Sequence, residues 1–278
     1  MQSFSSIAKR FGVSVTSIIR WFDNLNYPHP KLPECIAIDE LRGNAGGEKF
    51  QCNIADPVKH QVIDILPSRN TENLCKHFLE YPYKERAAVK KIIMDLSTLF
   101  RSVAKSMFPE AKIVADKFHV IRAVINSLEN VRKRIQKEFH VTKRKWFKRS
   151  RYLLLKPEYK LTSEDKTELA RMLNSSYDLE KAYVLKERFY EVFRKQTRTE
   201  AKKELGNWLL LAADLSLPEF RHCITTFSNW KTEIANIIGE RVSNGFIEGS
   251  NNKIKVLKRI SYGVQNFDRF RNRILYLQ

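Results

Sequence analysis

Apolar residues recur along this chain at two spacings, and the change from one to the other marks where its elements change. In residues 3–24, Ile7, Ala8 and Phe11 share one face of a first short helix. Gly12-Val13-Ser14 follows as a turn, with Ser14 as the N-cap of a second helix. That second helix turns Val15, Ile18, Ile19 and Phe22 inward and leaves Thr16, Ser17 and Arg20 outward. The pattern predicts a helix-turn-helix, whose second helix enters the major groove of DNA.

A linker with Pro28, Pro30 and Pro33 comes next, and then the period shortens. Strands are predicted over 35–41, 48–54 and 61–66, joined through Gly43/Gly46-Gly47 and through Asp56-Pro57. Two successive short links predict an antiparallel meander. A helix over 71–81 leads to a strand over 89–95. A helix over 97–107, with Ser97 as its cap, leads to a strand over 111–115, and a long helix starts near Asp116. The expected class is α/β, a mixed sheet with helices on its faces, and the order β-β-β-α-β-α-β-α is that of the ribonuclease-H-like fold. From about 117 to 240 the pattern is almost wholly helical, with no internal repeat.

Fifty Lys and Arg face 31 Asp and Glu, a formal charge of +19 spread along the chain, which points to a polyanionic partner and first to nucleic acid. Residues 132–151 concentrate it: ten Lys and Arg, Lys143, Arg144 and Lys145 among them, stand against Glu138 alone. Trp146, Phe147 and Tyr152 are interleaved, as on surfaces that track phosphate backbones. No apolar run is long enough for a membrane span, and no signal peptide is visible. The four cysteines include no CxxC pair and read as reduced intracellular thiols, giving neither a zinc site nor a disulfide framework.

The chemistry concentrates in three acids. Asp39 and Asp95 each end an apolar, strand-like run, Cys35-Ile36-Ala37-Ile38 and Ile92-Ile93-Met94. Glu248 lies in Asn244-Gly245-Phe246-Ile247-Glu248-Gly249-Ser250-Asn251-Asn252-Lys253-Ile254-Lys255, a helical pattern. At about 100° per residue, Asn244, Glu248, Asn251, Lys255 and Arg259 share a face roughly 80° wide. Phe246, Ile247, Ile254, Leu257 and Ile260 fall largely on the other side. Two strand-end aspartates and a helix glutamate can assemble an all-oxygen site for a divalent ion, the kind that serves phosphoryl transfer on nucleic acid. Glu40, next to Asp39 in a strand, points to the opposite face and is no ligand. Asp116 and His119 form an Asp-x-x-His pair with two readings: a second group near the ions, or a helix cap with a packed histidine. Asp56, Asp64 and the remaining acids show only surface or turn use.

The chain resembles the DDE transposases of bacterial insertion sequences, specifically the ISL-three group. The resemblance rests on Ala37-Ile38-Asp39-Glu40, Ile93-Met94-Asp95-Leu96, Ala115-Asp116-Lys117-Phe118-His119-Val120, and Asn244 through Lys255 with Arg259 and Gly263 trailing, in that order. It implies a ribonuclease-H-like core over 34–120 and 241–278, interrupted by a helical insertion over 121–240 and preceded by a DNA-binding segment over 1–26. It implies that Asp39, Asp95 and Glu248 hold two Mg²⁺ ions, which Mn²⁺ can replace. Asp116, His119, Asn244 and Asn252 are then secondary site residues. Thr16, Ser17, Arg20, Lys143, Arg144, Lys145, Lys255 and Arg259 would contact DNA. Members of the group usually begin with a Cys-rich zinc-binding segment, and this chain starts inside the helix-turn-helix.

The expected activity is metal-dependent cleavage and strand transfer at the ends of a mobile element, by a bacterial cytoplasmic protein that acts as a homo-oligomer on double-stranded DNA. The partners are the terminal repeats and the target, with no membrane. Two alternatives remain open on the sequence: a DNA-binding element product without catalysis, and a nuclease of the same core that does not join strands.

Overall fold

The computed structural model describes residues 3–43, 45–240, 245–261 and 264–276. In chain order, helices α1 (Phe4–Phe11) and α2 (Val15–Asp23) precede strands β1 (Cys35–Arg42), β2 (Phe50–Asp56) and β3 (Gln61–Leu66). Helices α3 (Thr71–Leu79) and α4 (Tyr83–Ala88) lead to β4 (Lys91–Met94), and α5 (Thr98–Met107) leads to β5 (Lys112–Ala115). Eight helices follow: α6 (Lys117–Lys137), α7 (Val141–Arg149), α8 (Arg151–Leu155), α9 (Ser163–Leu173), α10 (Tyr177–Tyr190), α11 (Arg198–Leu215), α12 (Arg221–Asn229) and α13 (Lys231–Ala235). The chain closes with α14 (Gly245–Ile260) and α15 (Phe267–Tyr276).

The structure is a mixed α/β fold. Its five strands form one sheet in the order β3-β2-β1-β4-β5. β1 is antiparallel to β2, and β2 to β3, while β1 runs parallel to β4. Each predicted strand is present within a residue or two of its expected ends. α4 was not predicted: six residues, Tyr83–Ala88, give too short a run for an apolar period to register. It is fixed by tertiary contacts, Glu85 accepting from the Leu32 N–H and Arg86 donating to the Met107 carbonyl at 2.9 Å.

Two compact units result, residues 1–113 with 242–278, and residues 114–241, so the division passes through β5. In the first, α14 and α15 pack on one face of the sheet. Leu41, Val62 and Ile65 from the strands meet Ile254 and Leu257 of α14 and Phe270 and Ile274 of α15, all buried. α1 and α2 are tied to α15: Arg269 donates to both Asp23 carboxylate oxygens at 2.8 and 2.6 Å, and Asn272 to the Leu25 carbonyl. Gly12 closes α1 at φ 65°, a conformation that suits glycine, and Ser14 caps α2 by accepting from the Ser17 N–H. Val15, expected inward, is instead exposed, and the apolar seat of α2 is Ile18. At Gly43 a Cβ would lie 1.9 Å from the Gln51 side chain, so the β1–β2 link needs glycine for close approach.

The second unit is all helical apart from the end of β5. Phe189, Trp208, Phe220 and Phe227 form its aromatic centre, with Trp208 donating to the Leu185 carbonyl. Lys186 is buried yet served: its ammonium donates to the Leu154 and Lys156 carbonyls at the end of α8 and pairs with Glu187. Burial still pushes its pKa down.

Candidate active site

Parallel pairing of β1 and β4 sets Ile38 beside Met94. One residue further along come Asp39, still within β1, and Asp95, just past the end of β4. Their charges meet: the buried Cys52 thiol on β2 is held well above its ordinary range by burial first, then by Asp39, Asp95, Asp64 and Glu40. Across the antiparallel pair, Asp39 faces Asn53, and paired residues share a face of the sheet.

Besides its apolar packing, α14 is joined to that face through the Asn251 side chain. Asn251 donates to Asp39 Oδ2 at 2.8 Å and accepts from Asn53 Nδ2 at 2.7 Å. Its amide therefore bridges the first aspartate and the neighbouring strand from a buried position. Glu248 lies three residues earlier on α14, in the helix's first turn and exposed. A carboxylate in the first turn is favoured by the helix dipole.

The expected polar face of α14 is thus divided. Glu248, Lys255 and Arg259 are exposed, whereas Asn251 turns inward with Ile247, Ser250, Ile254 and Leu257. Ile260, expected inward, is half exposed because the helix passes the end of its apolar seat. Asn252 points to solvent. Asn244 and Gly263 lie outside the described residues.

Among the described residues, Asp39, Asp95 and Glu248 do not bring three ligand atoms within 4.8 Å of one another. The donor set still suits a hard cation. Asp39 and Asp95 are carboxylates whose negative fields both reach Cys52, and hard divalent ions take oxygen ligands of this kind.

The remaining acids sort by their partners. Glu40 pairs with Arg69, whose guanidinium also stacks on Phe50. Asp95 does not cap α5; Ser97 does, accepting from the Phe100 N–H. Asp116 directly follows β5 and caps α6, one oxygen accepting from the Phe118 N–H at 3.0 Å and the other facing His119 Nδ1 at 2.6 Å. These are the contacts of a helix cap, but the His119 side chain is 40% exposed rather than packed. Asp64 departs from the sequence reading: it is buried rather than a surface or turn residue, and Arg271 of α15 holds both its oxygens. The sequence carried no sign of that pair because its members are far apart along the chain.

The basic run also divides. Arg132 is buried against Glu129, Arg134 reaches Glu219 and Asp178, and Arg151 pairs with Glu129. These three arginines serve the fold, so the run as a whole is not a free surface. Lys143, Arg144 and Lys145 on α7 are exposed, and no ion pair involves them among the described residues. On α2, Thr16 and Arg20 are exposed, while the Ser17 hydroxyl is shared with Ser14 in the cap. No helix among the described residues is long and apolar enough to cross a membrane.

The family model of the ISL-three group of DDE transposases, described as a transposase, matches residues 36–274. The transposase for insertion sequence element IS1001 of Bordetella parapertussis is 26% identical over 241 residues, covering 85% of this chain and 59% of that protein. The transposase for insertion sequence element IS1557 of Mycobacterium tuberculosis is 27% identical over 254 residues, covering 83% and 57%. A protein of Lactococcus lactis named ATP-dependent protease is 35% identical over 94 residues, but this covers only 34% of the chain and so bears on no whole-chain reading. The chain spans somewhat over half the length of the two transposases it matches. With its family model matched from the first strand to the last helix, the chain belongs to the DDE transposase family, in the ISL-three group.

Proposed function

We propose that this chain carries the catalytic core of a transposase that cuts and rejoins DNA at the ends of an insertion sequence. Residues 34–120 and 241–278 form a ribonuclease-H-like core in this reading, and 121–240 are a helical insertion. Residues 1–26 are a helix-turn-helix that reads the element's ends. The observation that carries it is the placing of Asp39 and Asp95 one step past paired residues of β1 and β4, with α14 held to Asp39 by Asn251 one turn from Glu248. The family match favours it over a DNA-binding product without catalysis.

Asp39, Asp95 and Glu248 would hold two divalent ions, Mg²⁺ or Mn²⁺. When bound, such ions supply an activated nucleophile and charge stabilisation on the leaving oxygen. The chain's own part is positional. Asn251 donates to one Asp39 oxygen while the Glu40 N–H donates to the other, and together they orient the carboxylate. Asn53 holds Asn251 in turn. Lys255 and Arg259, one and two turns beyond Asn251 and exposed, are set to bind phosphates beside the reacting strand. Lys143, Arg144 and Lys145 add a second phosphate-binding surface, and Thr16, Ser17 and Arg20 the base contacts. Holding two DNA ends calls for more than one copy of the chain.

The test is a joining assay with the purified chain, a duplex carrying the inverted repeats that flank its gene, and a supercoiled target. Nicking at the repeat end and a covalently joined product, both dependent on Mg²⁺ or Mn²⁺, are expected. Cleavage without any joined product would contradict strand transfer and leave a nuclease.

A further inference from the structure

On the first unit a second group of ligating side chains stands apart from the three acids. One ligand atom each from His29, His77 and Glu80 lies within 4.8 Å of the other two. His29 belongs to the Pro-rich linker after α2, while His77 and Glu80 are three residues apart at the end of α3, on neighbouring positions of one helical face. His29 Nε2 is 2.9 Å from Glu80 Oε2, and the two imidazole rings meet edge-on with centroids 5.3 Å apart.

Behind both rings sits one buried carboxylate. Asp64 Oδ2 is 3.7 Å from His29 Nδ1 and 3.8 Å from His77 Nδ1. Each ring has Nδ1 on the side of the same acid, at ion-pair rather than hydrogen-bond distance, a gap that metal binding would have to close. His29 Nε2 faces Glu80, and His77 Nε2 is buried with no hydrogen-bond partner among the described residues. A metal-ligating histidine characteristically binds through one nitrogen and gives its other N–H to a carboxylate, which fixes the tautomer and the ring's direction. Asp64 is itself held by Arg271.

We propose that His29, His77 and Glu80 form a binding site for a zinc-type transition metal, with Asp64 as the outer carboxylate behind both imidazoles. Two imidazoles and a carboxylate are a zinc donor set, three protein ligands that leave one tetrahedral position for water. Zinc bonds of about 2.0–2.1 Å place tetrahedral ligands roughly 3.3 Å apart, so the His29–Glu80 contact has to open by a few tenths of an ångström. His29 and Glu80 are both half-exposed and free to make that adjustment. A plain ion pair accounts for less. A half-exposed His–Glu pair adds little to stability, and it gives no reason for a second imidazole, buried, beside the first. Imidazole also separates this site from the acid cluster: it favours zinc, cobalt or nickel, whereas carboxylates favour magnesium and manganese. Bound metal would pin the linker that follows α2 onto α3, fixing where the N-terminal helix pair enters the sheet domain.

The whole chain, stripped with chelator and held in excess Mg²⁺ to occupy oxygen sites, is titrated with Zn²⁺, and with Co²⁺ as a visible-absorption probe. One Zn²⁺ per chain is expected, with a Co²⁺ spectrum of tetrahedral type. His29→Ala and Glu80→Gln, both at half-exposed positions, should each weaken Zn²⁺ binding by more than about 100-fold, beyond the 10–100-fold typical of outer-shell changes. Asp39→Asn should leave it unchanged. Zn²⁺ should also slow proteolysis in the linker, and chelator should restore it. Equal Zn²⁺ uptake by wild type, His29→Ala and Glu80→Gln, or no uptake by wild type, would overturn the proposal.

Discussion

Asn251 is the residue on which the candidate site turns, because a single amide joins Asp39, Asn53 and α14. Removing it leaves the buried Asn53 amide only its long 3.5 Å contact to Ser250 Oγ and frees one Asp39 oxygen, a loss of about 1–3 kcal/mol. Asn251→Ala should therefore lower unfolding stability by that amount and reduce metal-dependent cleavage more than DNA binding, measured on the same preparation by denaturant titration, cleavage assay and filter binding. Equal activity to wild type would mean that Asp39 needs no such restraint. At the same scale, burial first and then Glu187 and Glu158 push the Tyr183 hydroxyl above its ordinary range. A phenol with a raised folded-state pKa contributes stability that is complete below about 10 and lost as pH climbs toward the folded value. Lys186 beside it works the other way, its lowered pKa favouring the folded state as pH approaches that of a free lysine. Tyr183→Phe should accordingly lose less stability than wild type between neutral and strongly alkaline pH, read from denaturation midpoints.

α14 is the element that carries Glu248, and its buried stripe rather than its polar face sets its position. Ile254→Ala, at a position 4% exposed, should cost about 2–5 kcal/mol and lower cleavage with it. Val256→Ala, two residues away and 53% exposed, should stay within about 0.5 kcal/mol of wild type. Denaturation of the two variants side by side checks the register; a costly Val256 and a neutral Ile254 would mean the helix is rotated. Elements of this kind were legible in the sequence because strands and helices here are long enough for their apolar periods to show. The direction of Asn251 was not. Glu248, Asn251 and Lys255 sit close on a helical wheel, and only a partner on another strand tells which of them turns inward. The same holds for Asp64, whose partner Arg271 comes from the far end of the chain, and for α4, which local pattern cannot distinguish from loop.

Across the whole molecule, a charge of +19 made a polyanionic partner legible without saying which cations would meet it. Composition counts Arg132, Arg134 and Arg151 with the rest, yet each has a carboxylate partner within the fold. The exposed Lys143, Arg144 and Lys145 are the part of that run available to phosphates. On duplex DNA, log affinity falls with log salt by about 0.9 for each phosphate neutralised. Replacing those three with Ala should flatten the slope by up to about 3 and weaken all sequences alike. Arg132→Ala should instead destabilise the helical unit, and an unchanged slope in the triple variant would show that α7 faces solvent only.

In this reading Asp39 and Asp95, one residue past the paired Ile38 and Met94, are ligands of catalytic ions, not structural acids. A change of metal preference tests this more directly than loss of activity, since loss of activity follows from misfolding as well. Asp39→Cys exchanges a hard oxygen for a softer thiolate, which tolerates Mn²⁺ far better than Mg²⁺. Cleavage by Asp39→Cys should be absent in Mg²⁺ and partly restored in Mn²⁺, with the unfolding midpoint kept near that of wild type. A variant equally active in both ions, or one that is folded, binds DNA and stays inactive in Mn²⁺ and Mg²⁺ alike, would contradict the assignment of Asp39 as a metal ligand.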